Sequence, residues 1–356
     1  MLIKYLSARL AYSWVIIDQE LSLFSDTAPL LEVASLQVPM PSSDVLWRAI
    51  SAKEWSATYK ATNADHRLDG VCLRDLFNSF VEGDLSETET DLSPLHLRLL
   101  LHPLQTLISQ LRQFLNCLPD SGRRPMGTSM SRTATKARLE EISALLDQWY
   151  RFAERHTASE GNARWTMNAN LIMYHLISLN TRSSMGFIEQ FARGEVQMGS
   201  VRQASQWLQG HCIDDTPQVL FHCGQIFRLV RSLPLHVRPP WWSGAVYRAG
   251  VIAWATSTCS LGMGMSLDKA AETDKPFTID ALRPDHSAIQ HYLRYQEGIP
   301  MLSSTSGQLV AMSKPDNVLQ YCVSLLEGDL STRVTEGIAR KLRGLSEAWK
   351  RPVFSC

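Results

Sequence analysis

The sequence predicts an all-α fold, an irregular multi-helix bundle with no significant β-sheet. Three observations carry that prediction. Apolar residues recur at steps of three and four along most of the chain, the repeat of one helix face. Convincing alternation at period two is absent, so no sheet is expected. Of the 356 residues 45% are hydrophobic, enough for a sizeable core.

The elements follow in order. Leu10, Trp14, Ile17, Leu21 and Phe24 fall at steps of four and three, giving an amphipathic first helix with these residues as its apolar face. A linker bounded by Pro29 and Pro41 comes next, then two short helices bearing Trp47 and Trp55. Ser93-Pro94 reads as an N-cap with Pro at the first helical position. Behind it Leu97, Leu100, Leu101, Leu104, Leu107, Ile108, Leu111, Phe114 and Leu118 form a stripe. Pro103 lies inside that stripe and cannot donate to the Leu99 carbonyl, so a kink is expected there. Further helices are marked by Leu139, Ile142, Leu146, Trp149 and Phe152, and by Val219, Cys223, Ile226, Phe227 and Val230. Pro315 opens another through Val318, Cys322 and Leu326, stopped at Gly328, and Val334, Ile338, Leu342, Leu345 and Trp349 mark the last. Segments 83–90, 120–136, 257–276 and 303–314 read as loops, the second basic and rich in Ser, Thr and Gly. The organisation expected is a single domain, 1–356, with a flexible insertion at 119–136.

Composition narrows the function classes. Lys plus Arg and Asp plus Glu both number 35, so the formal net charge is zero, without the basic surplus of a nucleic-acid-binding domain. Seven cysteines lie no closer than eleven positions apart, and no Asn-x-Ser/Thr acceptor occurs, which fits a reducing compartment. Residues 241–267 carry one charge, Arg248, and are long enough to span a bilayer. Arg at the centre of a spanning helix costs about 2.5–3.5 kcal/mol, so a buried core helix is expected instead, and no membrane partner.

Catalytic and metal patterns fail on spacing. A zinc finger needs Cys and His pairs that close a tetrahedron, and no Cys pair qualifies. His286 and His291 match only the histidine half, and five residues turn a helix by about 500°, which separates the rings. Neither GxxxxGK[ST] nor GxSxG occurs, and Gly262-Met263-Gly264 is a fragment of a dinucleotide turn with no strand before it. Asp214-Asp215 resembles the metal motif of helical isoprenoid-processing enzymes, but Gln218 stands where a third carboxylate is needed. Asp215 or Thr216 as a helix cap before Pro217 is the expectation. His175, beside Tyr174 in an apolar helix, reads as a hydrogen-bonded core residue. Trp241 and Trp242 follow Pro239-Pro240, and Arg228 and Arg231 lie shortly before them. These four residues are the candidate effector or partner surface, weighed against plain burial of two aromatics and a solvated basic face.

The stretch DQELSLFSDTAPLLEVASLQVPMPSSDVLWRA at 18–49 and the following SAKEW at 51–55 resemble the regulatory region of fungal zinc-finger transcription factors, the fungal-specific transcription factor domain. So do SPLHLRLLLHPLQTLISQLRQFL at 93–115, NLIMYHLISLN at 170–180, FHCGQIFRLVRSLP at 221–234 and RPPWWSGAVYRAGVIAWATS at 238–257. The resemblance implies a nuclear regulator of RNA polymerase II transcription and no enzyme. Its partners would be transcription-machinery proteins or other segments of the same polypeptide, and a homodimer is allowed. DNA would be read only through zinc fingers, which the resemblance places ahead of this region. No finger precedes Asp18 in this sequence, so no cofactor is expected in the chain and zinc only in such fingers. A finger-less interaction module that titrates partners is the alternative, and a helical isoprenoid- or lipid-processing enzyme a remoter one.

Overall fold

A computed structural model describes residues 2–41, 46, 49–61, 70–87, 92–117, 129–155, 162–196, 198, 200–262, 275–304, 307–328 and 332–350. The described residues are predominantly helical, as the periodicity predicts. The helices fall into two compact units, Met1–Asn170 and Leu171–Cys356.

In the first unit α1 (Leu2–Ser25), α2 (Ala52–Ala61), α3 (Leu73–Glu82), the single turn α4 (Asp84–Glu87), α5 (Pro94–Cys117) and α6 (Ser129–Arg155) precede the start of α7 (Asn162–Arg182). Helix α5 begins at Pro94 as expected. Ser93 Oγ accepts from His96 N at 3.3 Å while His96 Nδ1 accepts from Ser93 N at 3.3 Å, a reciprocal cap. The helix continues through Pro103, and from His96 to Gln105 it is buried all round. Trp149 on α6 is fully buried and donates its Nε1–H to Leu97 O at 2.8 Å, while Phe152 meets Phe80 of α3 at 6.1 Å between ring centres.

Helix α1 departs from the expected face. Ala8, Tyr12, Val15, Gln19, Ser22 and Leu23 are buried, whereas Leu10, Trp14, Ile17 and Leu21 are 64%, 59%, 42% and 64% exposed. Hydrogen bonds hold Tyr12 and Ser22 on the inner face, whereas the buried Gln19 amide has no side-chain partner among the described residues and only its backbone carbonyl is engaged. Gln105 Nε2 donates to Gln19 O at 3.0 Å and to Ser22 Oγ at 2.8 Å. The Tyr12 hydroxyl donates to Val38 O at 2.7 Å and accepts from Leu73 N at 3.1 Å. Arg98 Nη2 reaches Glu20 Oε1 at 3.0 Å, and burial pushes the Arg98 guanidinium down to about 10 against the opposing pull of Glu20.

In the second unit the rest of α7 is followed by α8 (Met185–Ala192), α9 (Val201–His211), α10 (Thr216–Ser232), α11 (Trp242–Gly262), α12 (Ser287–Tyr295), α13 (Pro315–Glu327) and α14 (Arg333–Lys350). Helix α11, the segment long enough to span a bilayer, is its axis and packs against α8, α9, α10, α13 and α14. Its lone charge, Arg248, is 3% exposed and donates from Nη2 to Asn180 Oδ1 at 3.1 Å. Among the described residues no helix is long and apolar enough to cross a membrane.

A small sheet accompanies these helices: β1 (Pro276–Thr278), β2 (Ile299–Ser303) and β3 (Leu309–Ala311), in the order β1-β2-β3. The first pair is parallel with Phe277 opposite Pro300, the second antiparallel with Leu302 opposite Val310. Strands of three to five residues hold too few side chains to display alternation, so period two was invisible in the sequence. The expected loops shrink accordingly. Residues 257–262 complete α11, 263–274 lie outside the described residues, and 309–311 of the segment 303–314 pair as β3. Of the insertion expected at 119–136, residues 119–128 lie outside the described residues and 129–136 form the first turns of α6.

Candidate functional site

Helix α10 presents Gly224, Gln225, Arg228 and Arg231 at steps of one, three and three to the turn 279–282 that leads from β1 toward α12. Asp215 caps the helix, its Oδ1 accepting from Gln218 N at 3.2 Å, and Pro217 sits in the first turn, as expected from the sequence. Asp215 therefore has a capping role.

The turn is held at several points. Gln225 Nε2 donates to Ile279 O at 3.1 Å and to Leu282 O at 3.0 Å, and Arg228 Nε donates to Gln225 Oε1 at 2.7 Å, orienting that amide. Gly224 leaves room for Ile279: a Cβ there would come within 2.8 Å of Ile279 Cγ2 and 2.9 Å of its carbonyl oxygen. Arg231 Nη2 donates to Asp280 O at 2.6 Å, and Nη1 donates to Ser303 O at 2.7 Å and lies 3.0 Å from Asp280 Oδ2. The Asp280 side chain is fully buried. It accepts from Ser303 N at 2.9 Å and from the Tyr321 hydroxyl at 2.8 Å. Burial, then the Asp280 charge, pushes the Tyr321 phenol far above its ordinary value, so it stays a proton donor.

What this pinned turn walls is a cleft of about 690 Å³, lined among others by Lys275, Phe277, His286, His291, Glu297 and Leu309. Its size is that of a small-molecule site. His286 Nδ1 accepts from Ala288 N at 3.2 Å, capping α12, so the neutral ring carries its proton on Nε2. His291 Nε2 lies 2.8 Å from Glu297 Oε2. The lining thus offers one lysine, a capping imidazole, an imidazole–carboxylate pair and an apolar floor, a set suited to binding. Among the described residues no three His, Cys, Asp or Glu side chains converge as a metal site would need.

The four residues expected as a surface are divided. Arg228 and Arg231 are committed to the turn 279–282. Trp241 and Trp242 are half-buried at the start of α11, and the Arg238 guanidinium lies 4.7 Å over the Trp242 ring. Sequence reasoning missed Asp280, Ser303, Tyr321 and the cleft, because the partners of Arg231 lie 49 and 72 positions away. His175 is buried as expected, with Nδ1 2.8 Å from His222 Nδ1.

No protein-family profile matches the chain, and no solved structure matches it. A Zymoseptoria tritici protein named a transcription factor is 40% identical over 367 residues, covering 95% of this chain and 37% of that protein. "Transcription factor 1" of Elsinoe fawcettii is 36% identical, covering 94% of this chain and 35% of its own length. "Transcription factor PfmaH" of Pestalotiopsis fici is 34% identical, covering 96% and 35%. The chain is similar along nearly its whole length to fungal proteins named transcription factors, and spans little more than a third of the length of each of these three.

Proposed function

We propose that the chain is the regulatory region of a fungal transcription factor acting in the nucleus. It would control RNA polymerase II output through protein partners or other segments of a longer polypeptide, and perform no reaction of its own. The observation that carries the reading is the 40% identity over 95% of the chain to a protein of that name. The zero net charge supports assigning DNA contact, and any zinc it requires, to fingers outside these 356 residues. Regulation by a helical domain needs two packings whose populations an effector or partner biases. The cleft beside the turn 279–282 is the surface we assign to that effector, with Arg228 and Arg231 as positioning residues and Trp241 and Trp242 at the edge of α11.

The test fuses the chain to an unrelated sequence-specific DNA-binding domain in a fungal reporter strain. Reporter output is expected to change at least several-fold relative to the DNA-binding domain alone. Lys275→Ala with His291→Ala, both exposed side chains of the cleft lining, is expected to shift that output while leaving the melting curve of the purified chain in place. Output equal to the DNA-binding domain alone would sink the reading. So would sequence-specific duplex binding by the purified chain that survives a salt series.

A further inference from the structure

The cleft beside the turn 279–282 has a floor that is set before any ligand arrives. Its Phe277 ring is 9% exposed and lies 5.2 Å between centres from Tyr292 of α12. The same ring would stand 3.2 Å from a Cβ on Gly298, so it is held from that side as well. Leu282 and Leu309 extend the apolar surface from the turn and from β3. The polar groups of the lining are not equivalent. Glu297 is engaged by His291 at 2.8 Å, and Ala288 N donates to His286 Nδ1 at 3.2 Å, so neither that carboxylate nor that helix amide awaits a ligand. Lys275 is exposed in the lining, and among the described residues its ammonium has no protein acceptor. The His286 Nε2–H likewise has no acceptor among them. The two uncommitted groups are therefore both donors, and one is a cation.

We propose that this cleft binds a small carboxylic acid with an apolar body, a ligand class that rests on reading the cleft as an effector site. The carboxylate accepts from the Lys275 ammonium and from the His286 Nε2–H, and the body lies on Phe277, Leu282 and Leu309. A carboxylate brings acceptor oxygens and one negative charge, which matches two donors and one uncompensated cation. The bond from Ala288 N to His286 Nδ1 fixes the tautomer that donates. A neutral ligand gains nothing from the Lys275 charge, and a cationic one is repelled by it. A phosphate ester carries close to two charges and is best met by forked guanidinium groups, and no arginine stands in the described lining. At about 690 Å³ the cleft has room for a small molecule, and its apolar floor favours a body of ring or chain carbon over a sugar.

Isothermal titration of the purified chain with naphthoate, its neutral counterpart naphthamide, naphthyl phosphate and decanoate tests the ligand class. Protection of the Lys275 amine from reductive methylation, read by mass spectrometry, tests the site. Naphthoate is expected to bind about five- to ten-fold more tightly than the amide or the phosphate ester, and to protect Lys275. Lys275→Gln changes an exposed side chain and is expected to erase that advantage with the melting curve in place. Leu309→Glu puts a like charge on the wall and is expected to weaken naphthoate while sparing the amide. Failure of both naphthoate and decanoate to bind at millimolar concentration overturns the proposal, as does equal affinity for acid and amide. Tighter binding of the phosphate ester overturns the carboxylate assignment. Should Lys275→Gln unfold, protection of Lys275 in the wild-type chain decides. The reporter fusion separates this ligand class from the regulatory reading. A chain that drives the reporter and binds no acid loses the ligand class alone, whereas one that binds acid and leaves the reporter at background keeps the site and loses the regulatory role.

Discussion

Arg231 Nη1 lies 3.0 Å from Asp280 Oδ2, and that contact ties the last turn of α10 to the turn after β1. The Asp280 carboxylate has no exposure of its own, so Arg231 is what compensates a charge held away from water. Arg231→Ala leaves that carboxylate buried beside Ser303 and Tyr321 alone. A loss of about 3–5 kcal/mol is expected, because removing one partner of a buried pair strands the other. Arg231→Met with Asp280→Leu is expected to lose much less, since both charges leave together. Urea unfolding of Arg231→Met, Asp280→Leu and the double variant gives the coupling directly, and equal losses in the single and double variants would contradict it.

Gly224 makes a second test of the same turn. Ile279 Cγ2 and its carbonyl oxygen would stand 2.8 and 2.9 Å from an added Cβ, and the oxygen belongs to backbone that Gln225 already holds. Gly224→Ala is therefore expected to destabilise by about 1–3 kcal/mol despite its better helix propensity. Gly337→Ala in α14, where nothing lies within 4 Å of the added Cβ, is the matched control. It is expected to be neutral or stabilising by up to about 1 kcal/mol. A melting temperature for Gly224→Ala at or above wild type would show that the turn is not clamped.

These residues also show what the sequence could and could not reveal. Asp215, Pro217 and Ser93 act within four positions of themselves, so capping chemistry exposes them to a reader of the sequence. Trp149 and Phe152 lie on a 3.6-residue stripe that has one face to bury, and it is buried. In α1 two stripes compete. The apolar one at Leu10 and Trp14 outscores the mixed one at Tyr12 and Ser22, which wins through Val38, Leu73 and Gln105, residues that no local pattern links to it. Arg228 and Arg231 are visible as a basic pair, yet their work on residues 279–282 depends on a fold-level meeting of distant segments.

His175 and His222 predict a pH dependence. Their Nδ1 atoms are 2.8 Å apart, so one ring donates and the other accepts while both are neutral. Burial, then His222 and Arg228, holds the His175 imidazole well below 6.5; burial, then Arg182, brings His222 down to about 3. Tyr174 and Phe221 pack edge-on to His175 and offer no countercharge. Because the folded values are depressed, the unfolded chain takes up protons first as pH falls. Stability is complete above about 6.5 and is lost progressively toward 3, at roughly 1.4 kcal/mol per pH unit for each imidazole. Urea midpoints at about pH 7.5 and about pH 5.5 should diverge for the wild type. They should diverge about half as much from this pair in His222→Asn, with His102, also depressed by burial, as a shared background.

Asp18 carries the last prediction. Its carboxylate accepts from Leu30 N at 2.9 Å and from Leu31 N at 2.9 Å, so one side chain of α1 anchors the start of the Pro29-to-Pro41 linker. Leu30 itself is 87% exposed and contributes little packing, which leaves the carboxylate as the principal hold on these two amides. Hydrogen bonds to a charged acceptor contribute about 1.5–3 kcal/mol, so Asp18→Ala is expected to cost about 2 kcal/mol. Asp18→Asn, which keeps one acceptor oxygen, should cost less. Amide exchange gives the more specific readout. The Leu30 and Leu31 amides should lose protection in Asp18→Ala by more than the global loss accounts for, while Met40, whose amide donates to Val71 O at 2.8 Å, keeps its own local protection. Uniform loss across the linker would mean that the segment is held by burial, with the Asp18 contacts incidental.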